Sequence, residues 1–320
     1  MSYKVVVFDG PTGREPIEES ELAKVGAEVR RAVDNTPEER LALVADADGI
    51  LCDATPVDAS LIAHAPKLRV VGEYGIGYDN IDVPAATARR VWVANVPGFC
   101  AEEVADYAMA VVLAANRRLF AYDRSLREGR WDPLGVGAGA ARLSAQTLGV
   151  IGFGNIGRRV ARRAAAFGMR VLVHSPRTTP ELAREHGAER VDLPTLYARS
   201  DYVSLHLPAT AATRGMIDAD ALAQMKPTAW LINAARGSVV DEAALLDALR
   251  QNRLAGAALD VRSSEPPIEP DPFRELPNVI LTPHASYFSE HSLRELRERA
   301  ARNVAAVLEG RRPANPVNEI

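Results

Sequence analysis

The sequence predicts an α/β protein of two domains built on parallel sheets, and three observations carry that expectation. Short apolar runs alternate with helix-patterned stretches along the chain, as the crossover connections of parallel sheets require. A length of 320 residues leaves room for two hydrophobic cores. Finally, the apolar run Thr147–Ile151 leads into Gly152-Phe153-Gly154-Asn155-Ile156-Gly157. A helix pattern over residues 158–167 and a strand over 169–173 follow, so the glycines have the spacing and setting of a dinucleotide-binding loop. The first glycine permits the tight turn, the second lets backbone approach a pyrophosphate, and the third lets helix and strand pack closely. The helix N-terminus then offers free amides to the phosphates.

Composition narrows the function classes. A net charge of -4 gives no electrostatic case for nucleic acid or an anionic membrane. No apolar run reaches the roughly 18 residues of a membrane helix. Residues 4–8 read as a strand and not as a signal peptide, so the expected compartment is the cytoplasm. Cys52 and Cys100 are far apart and read as small buried hydrophobes; neither a disulfide nor a metal site is expected.

Residues 5–8, 27–30, Gly49–Cys52, 68–71 and 93–96 read as strands of a first domain. Helices are expected over 18–25, from Pro37 to about residue 45, and over 59–65. Pro97-Gly98 marks the crossing into a second domain over 99–286, and residues 287–320 return to the first with a charged amphipathic helix over 289–309. The second domain opens with a long helix over 102–119. Residues 122–143 read as Gly-rich and irregular, with Trp131 a candidate packing anchor. So long a loop suits an arm laid on a second subunit. Helices are expected over 180–186, Leu193–Arg199, 219–225 and 241–251. The intervening strands are Tyr202–Leu205, 229–232, Gly256–Leu259 and Val279–Leu281.

Polar residues stand directly after several of these strands: Arg236, Asp260 and His284. In an open α/β sheet the carboxyl ends of the strands form the ligand crevice, so these side chains are candidates for one site. Glu265, in the loop after Asp260, is within reach of it. The set suits hydride chemistry at a carbonyl. A histidine exchanges the proton on oxygen, a carboxylate beside it favours the imidazolium, and an arginine grips a substrate carboxylate. His206, before Leu207 and Pro208, reads as a cofactor wall; His64, His174, His186 and His291 read as structural.

These motifs make the chain resemble the D-isomer-specific 2-hydroxyacid dehydrogenases over essentially its whole length. The matching segments are Gly152 to Gly157; His206-Leu207-Pro208; Asn233-Ala234-Ala235-Arg236-Gly237 with Val240-Asp241; and Thr282-Pro283-His284. Residues 102–106, 256–261 and 284–290 are most similar to the C-terminal-binding-protein branch. The resemblance implies a Rossmann domain inserted into a flavodoxin-like substrate domain, closing over the cofactor, and a homodimer joined through the dinucleotide-binding domains. It also implies roles. Arg236 would bind and polarise a 2-oxo acid, with His284 as acid/base and Glu265 as its partner. The backbone of Gly75, Ile76 and Gly77 would hold the substrate carboxylate, with Tyr74 lining the pocket. Val104, Leu207, Pro208, Ala234 and Asp260 would surround the cofactor along with Gly152, Gly154, Asn155, Ile156 and Gly157.

Two departures from the family pattern matter. Ser175 stands at the end of the second dinucleotide strand, where NAD-specific members carry an acid, and Arg177 follows it. A missing carboxylate and a nearby arginine predict NADP(H) in preference to NAD(H). Tyr287 stands where the branch often has Trp, which predicts a different substrate pocket. The expected activity is reduction of a small acid resembling glyoxylate or hydroxypyruvate. Alternatives are a phosphorus-containing substrate on the same scaffold, or a cofactor-sensing binding protein. Retention of Arg236, Glu265 and His284 and the lack of extra tails argue against the latter.

Overall fold

The computed structural model describes residues 2–11 and 15–320. The chain divides into two compact units, one running to Phe99 and resuming over Phe288–Ile320, the other Cys100–Tyr287.

In the first unit, β1 (Tyr3–Val7), β2 (Ala27–Arg31), β3 (Gly49–Cys52), β4 (Val70–Glu73) and β5 (Trp92–Ala94) form a parallel sheet in the order β2-β1-β3-β4-β5. This is the flavodoxin-like doubly wound order. One face packs on the helix Glu290–Leu308, and glycine makes the approach possible. A Cβ on Gly72 would stand 2.9 Å from Val304 Cγ2. That helix starts from a capping box in which Ser289 and Ser292 bond each other's backbone. The opposite face buries Val6, Phe8, Ile50, Cys52, Ile62, Val71 and Val93.

In the second unit, β6 (Thr147–Ile151), β7 (Arg170–His174), β8 (Glu189–Arg190), β9 (Tyr202–Leu205), β10 (Trp230–Asn233), β11 (Gly256–Leu259) and β12 (Val279–Leu281) form a parallel seven-stranded sheet. Its order is β12-β11-β10-β9-β6-β7-β8, so the chain reverses direction across the sheet between β6 and β9, which makes that position the topological switch point. Alternate residues of each strand feed separate cores. Leu205, Leu231 and Leu259 lie in one, Val150, Ile232 and Ala258 in the other.

Several expectations need correction. The long helix ends at Asn116, because Arg118 takes a left-handed backbone at φ 53°. Residues 122–143 are not irregular throughout: helices span Leu119–Arg127 and Pro133–Val136, the latter capped by the Asp132 carboxylate. Trp131 is 83% exposed, so among the described residues it is not a packing anchor. The helix after the glycine loop starts at Asn155 and not at residue 158, which draws the loop's last residues into its first turn. Val83–Ala88, for which no element was expected, is a helix capped by Asp82 with Pro84 in its first turn. Cys52 and Cys100 are both buried. No helix among the described residues is long and apolar enough to cross a membrane.

Candidate active site

The glycine loop leaves the end of β6 at the switch point. Gly152 has φ 94°, and a Cβ there would stand 2.0 Å from the His206 carbonyl oxygen, so only glycine lets the turns after β6 and β9 meet. A Cβ on Gly157 would collide with the Gly152 carbonyl at 2.1 Å. At Gly154, by contrast, nothing lies within 4 Å of that position. The open space over Gly154, facing the N-terminus of a 12-residue helix, fits a dinucleotide pyrophosphate. Leu207 packs against the core beyond β9, and the Pro208 carbonyl accepts from Thr213. Val104, in the first turn of the helix Ala101–Asn116, is 4% exposed.

Arg236, Asp260 and His284 follow β10, β11 and β12, which are adjacent in the sheet. Asp260 is 1% exposed and its carboxylate organises the loop after β12. Oδ1 accepts from Thr282 Oγ1 at 2.6 Å and from the Ala285 N–H at 2.8 Å, while Oδ2 accepts from the Ser286 N–H at 3.0 Å. Tyr107 bonds Thr282 at 2.8 Å. The His284 N–H donates to the Asp260 carbonyl at 2.7 Å, and His284 itself takes a left-handed backbone at φ 50°. Asp260, expected beside the nicotinamide, therefore acts in this structure by fixing the loop that aims His284.

The His284 imidazole meets Glu265, with Nδ1 to Oε2 at 2.6 Å. Glu265 Oε1 accepts from the Arg262 N–H at 2.9 Å, so both carboxylate oxygens are engaged. The hydrogen bond to Glu265 holds the His284 pKa above its ordinary value of 6.5, against the opposing effect of burial. Burial pushes Glu265 up, but the His284 and Arg262 bonds bring it net below the usual carboxylate range. The Arg236 charge acts on both partners, lowering each pKa. All three predicted catalytic side chains thus share one electrostatic neighbourhood. Tyr287 stands edge-on to the His284 ring, centroids 6.0 Å apart.

Sequence reasoning missed what holds this cluster together. The Arg262 guanidinium makes two-pronged bonds to Asp271, at 2.7 and 3.2 Å, and to Glu242, at 3.2 and 3.1 Å. Glu242 also accepts from the Ser263 N–H at 2.6 Å. A Cβ on Gly237 would stand 1.9 Å from the Arg262 carbonyl carbon, so the turn carrying Arg236 presses on the turn carrying Glu265. No local signal in sequence reveals bonds that span 9 and 20 residues.

The remaining predicted residues fall elsewhere. Ser175 and Arg177 lie in the turn after β7. Arg177 is exposed and makes no ion pair among the described residues. Ala234 follows β10 directly. In the first unit, Tyr74 is 3% exposed and its hydroxyl donates to Glu18 at 2.9 Å, which anchors its loop. The carbonyls of Gly75 and Ile76 accept from the Val96 N–H at 2.8 Å and from Asn95 Nδ2 at 2.7 Å. The Ile76 and Gly77 N–H groups have no acceptor among the described residues, an arrangement suited to an anion.

The family model described as D-isomer specific 2-hydroxyacid dehydrogenase, NAD binding domain, matches residues 109–286. The chain belongs to the D-isomer-specific 2-hydroxyacid dehydrogenase family. It is 43% identical over 284 residues to a glyoxylate reductase of Korarchaeum cryptofilum, covering 86% of this chain and 84% of that one. It is also 43% identical over 289 residues to a D-3-phosphoglycerate dehydrogenase of Mycobacterium bovis, covering 89% of this chain and 53% of that one. The crystal structure of a D-lactate dehydrogenase from Aquifex aeolicus, complexed with NAD and lactic acid, matches with a TM-score of 0.87 at 29% identity over 96% of each chain. As a member of this family the protein is a nicotinamide-dependent oxidoreductase that moves a hydride between a 2-hydroxy acid and a 2-oxo acid.

Proposed function

We propose that this dehydrogenase reduces a small 2-oxo acid of the glyoxylate or hydroxypyruvate kind, with His284 as proton donor, Glu265 as its partner and Arg236 binding the substrate. The observation that carries this reading is the 2.6 Å bond from His284 Nδ1 to Glu265, made within the influence of the Arg236 charge. With Nδ1–H donating to Glu265, Nε2 is the atom that gives or takes the substrate proton. Reduction needs the imidazolium, which the bond to Glu265 stabilises, raising the His284 pKa from its ordinary value. Oxidation needs the free base, so it gains as pH rises. Arg236 draws charge onto the carbonyl oxygen and orients the acid. The Ile76 and Gly77 amides hold the carboxylate. Bound over Gly154, the nicotinamide cofactor supplies or accepts the hydride.

NADP(H) is the proposed cofactor preference. Ser175 offers no carboxylate to repel a 2′-phosphate, and Arg177 is exposed beside it with no ion-pair partner among the described residues. A homodimer joined through the second unit is part of the same reading. Leu119, Phe120, Leu126, Trp131 and Leu134 are each more than half exposed in and around the helices Leu119–Arg127 and Pro133–Val136. The 43% identity to a glyoxylate reductase over 86% of this chain supports a small 2-oxo acid.

The test is oxidation of NADPH and NADH with glyoxylate, hydroxypyruvate, pyruvate and 3-phosphohydroxypyruvate. Turnover of a small acid, lost in His284→Ala, is the expected result. Turnover of only the phosphorylated acid would move the substrate class, and equal or better kcat/KM with NADH would remove the NADP preference. No turnover with any acid would favour a cofactor-sensing binding protein.

A further inference from the structure

Glu73 is the last residue of β4 and is 2% exposed. No cation pairs with it among the described residues. Its Oε2 accepts from Asn80 Nδ2 at 3.1 Å and from the Cys52 thiol at 3.4 Å. Asn80 Nδ2 also reaches the carbonyls of Asp53, at 2.8 Å, and Thr55, at 3.2 Å. The segment from Tyr74 to Asn80 is the loop that contains Gly75, Ile76 and Gly77. The bond between Glu73 and Asn80 therefore joins the two ends of that loop. The other oxygen, Oε1, lies 3.5 Å from where a Cβ on Gly75 would stand, directly beneath the loop.

We propose that Glu73 is a positioning residue for substrate binding: as an uncharged acid it clasps the base of the 74–80 loop and keeps the Ile76 and Gly77 amides set for a carboxylate. The proposal rests on the reading that this loop holds the substrate carboxylate. Both donors converge on Oε2, which acts as the carbonyl oxygen, and the proton sits on Oε1. The titratable groups facing Glu73 are the Cys52 thiol on β3, Asp53 beyond it, and Asp9 after β1. Asp9 is itself held by the N–H groups of Asp53, Ala54 and Thr55. The neighbouring Gly72 faces Val304 and Ala300, so the charges of the helix Glu290–Leu308 lie across the other face of the sheet. Burial, opposed by the Asn80 bond and reinforced by Asp53 and Asp9, pushes Glu73 up to about 9. Ionised, the same carboxyl would place a negative charge under an anion-binding loop and repel the ligand.

Wild type, Glu73→Gln, Glu73→Ala and Ile76→Pro are compared for kcat, for KM of the best 2-oxo acid and for KM of the cofactor, from about pH 6 to about pH 10. Glu73→Ala is expected to raise the 2-oxo acid KM about tenfold with kcat and cofactor KM held, the cost of one lost buried hydrogen bond. Glu73→Gln, which keeps the shape and the neutral charge, restores the low KM. Wild-type KM climbs in the alkaline range; the Gln variant lacks that component. His284 loses its proton in both enzymes, so the difference between them belongs to Glu73. An alkaline rise equal in wild type and Glu73→Gln overturns the proposal, and the Gln variant decides it alone where Glu73→Ala fails to fold. If Ile76→Pro raises KM while neither Glu73 variant does, the clasp is wrong and the carboxylate reading stands. If Ile76→Pro leaves KM unmoved, the carboxylate reading fails and the clasp fails with it.

Discussion

Each sheet of this dehydrogenase has a glutamate near the carboxyl ends of its strands, Glu265 in one and Glu73 in the other, and the two are handled in opposite ways. Glu265, in the second unit, sits on a half-exposed loop with a histidine on one oxygen and a backbone amide on the other, and is held below the usual carboxylate range. Glu73, in the first unit, is buried with no cation paired to it among the described residues and is pushed up to about 9. The same doubly wound architecture thus presents one carboxylate as a charge and one as a neutral hydrogen-bonding group. The neighbours decide which: at Glu265 the His284 and Arg262 bonds outweigh burial, and at Glu73 burial with two nearby acids outweighs the Asn80 bond. A glutamate at a strand end is therefore not a statement about charge until its surroundings are known.

The strongest blow to the charged side of that contrast is His284→Ala. Loss of general acid catalysis should lower kcat by about a thousandfold while cofactor affinity, read by NAD(P)H fluorescence, stays put. A fall of less than tenfold would remove His284 from the chemistry. Next comes Arg262→Met, which leaves Asp271 and Glu242 without their cation. Breaking a buried pair of this kind should cost about 3 kcal/mol of stability, seen as a lower Tm. Because Glu265 is set by the Arg262 backbone, kcat should fall about tenfold as well, with Arg262→Lys recovering only part of it. Normal activity with a lowered Tm would confine the network to folding.

Arg177→Ala probes a charge that makes no ion pair among the described residues. It should lower kcat/KM with NADPH about tenfold and leave NADH nearly unchanged, as expected for one charge-assisted contact to a phosphate. An equal loss with both cofactors would contradict the assignment. The smallest expected effect belongs to the neutral side. The folded-state pKa of Glu73 lies above the ordinary 4.5, so the native protein retains a proton that the unfolded chain gives up between pH 4.5 and about 9. Stability is lost as pH rises through that window. Glu73→Gln carries no such penalty, so its Tm should match wild type near the acid end and exceed it by a few degrees at pH 8. A Gln variant less stable than wild type at pH 8 would show that Glu73 is ionised in the fold.

Much of this was legible in the chain. Arg236, Asp260 and His284 each follow an uninterrupted apolar run, and a parallel sheet brings the ends of such runs to one edge. The glycine loop announced its own partners, because only glycine tolerates a carbonyl at 2.0 Å. What stayed hidden depends on long-range pairing. Nothing near Arg262 in sequence announces its bonds to Asp271 and Glu242. Nothing local says that Asn80 returns to meet Glu73. Tyr74 read as a pocket wall, and Glu18, distant in sequence, takes its hydroxyl. The break at Arg118 was invisible because a left-handed arginine leaves no compositional mark.

The central claim is that His284 and Glu265 work as one acid/base unit, and the pH dependence of kcat/KM for 2-oxo acid reduction tests it most directly. Wild type should stay active past pH 6.5 and lose activity on a limb above it, since Glu265 holds the imidazolium together. In Glu265→Gln, where the carboxylate is gone and only the Asp260 charge opposes burial, that limb should move to lower pH. An unchanged limb in the Gln variant would contradict the pairing on which the proposed reaction stands.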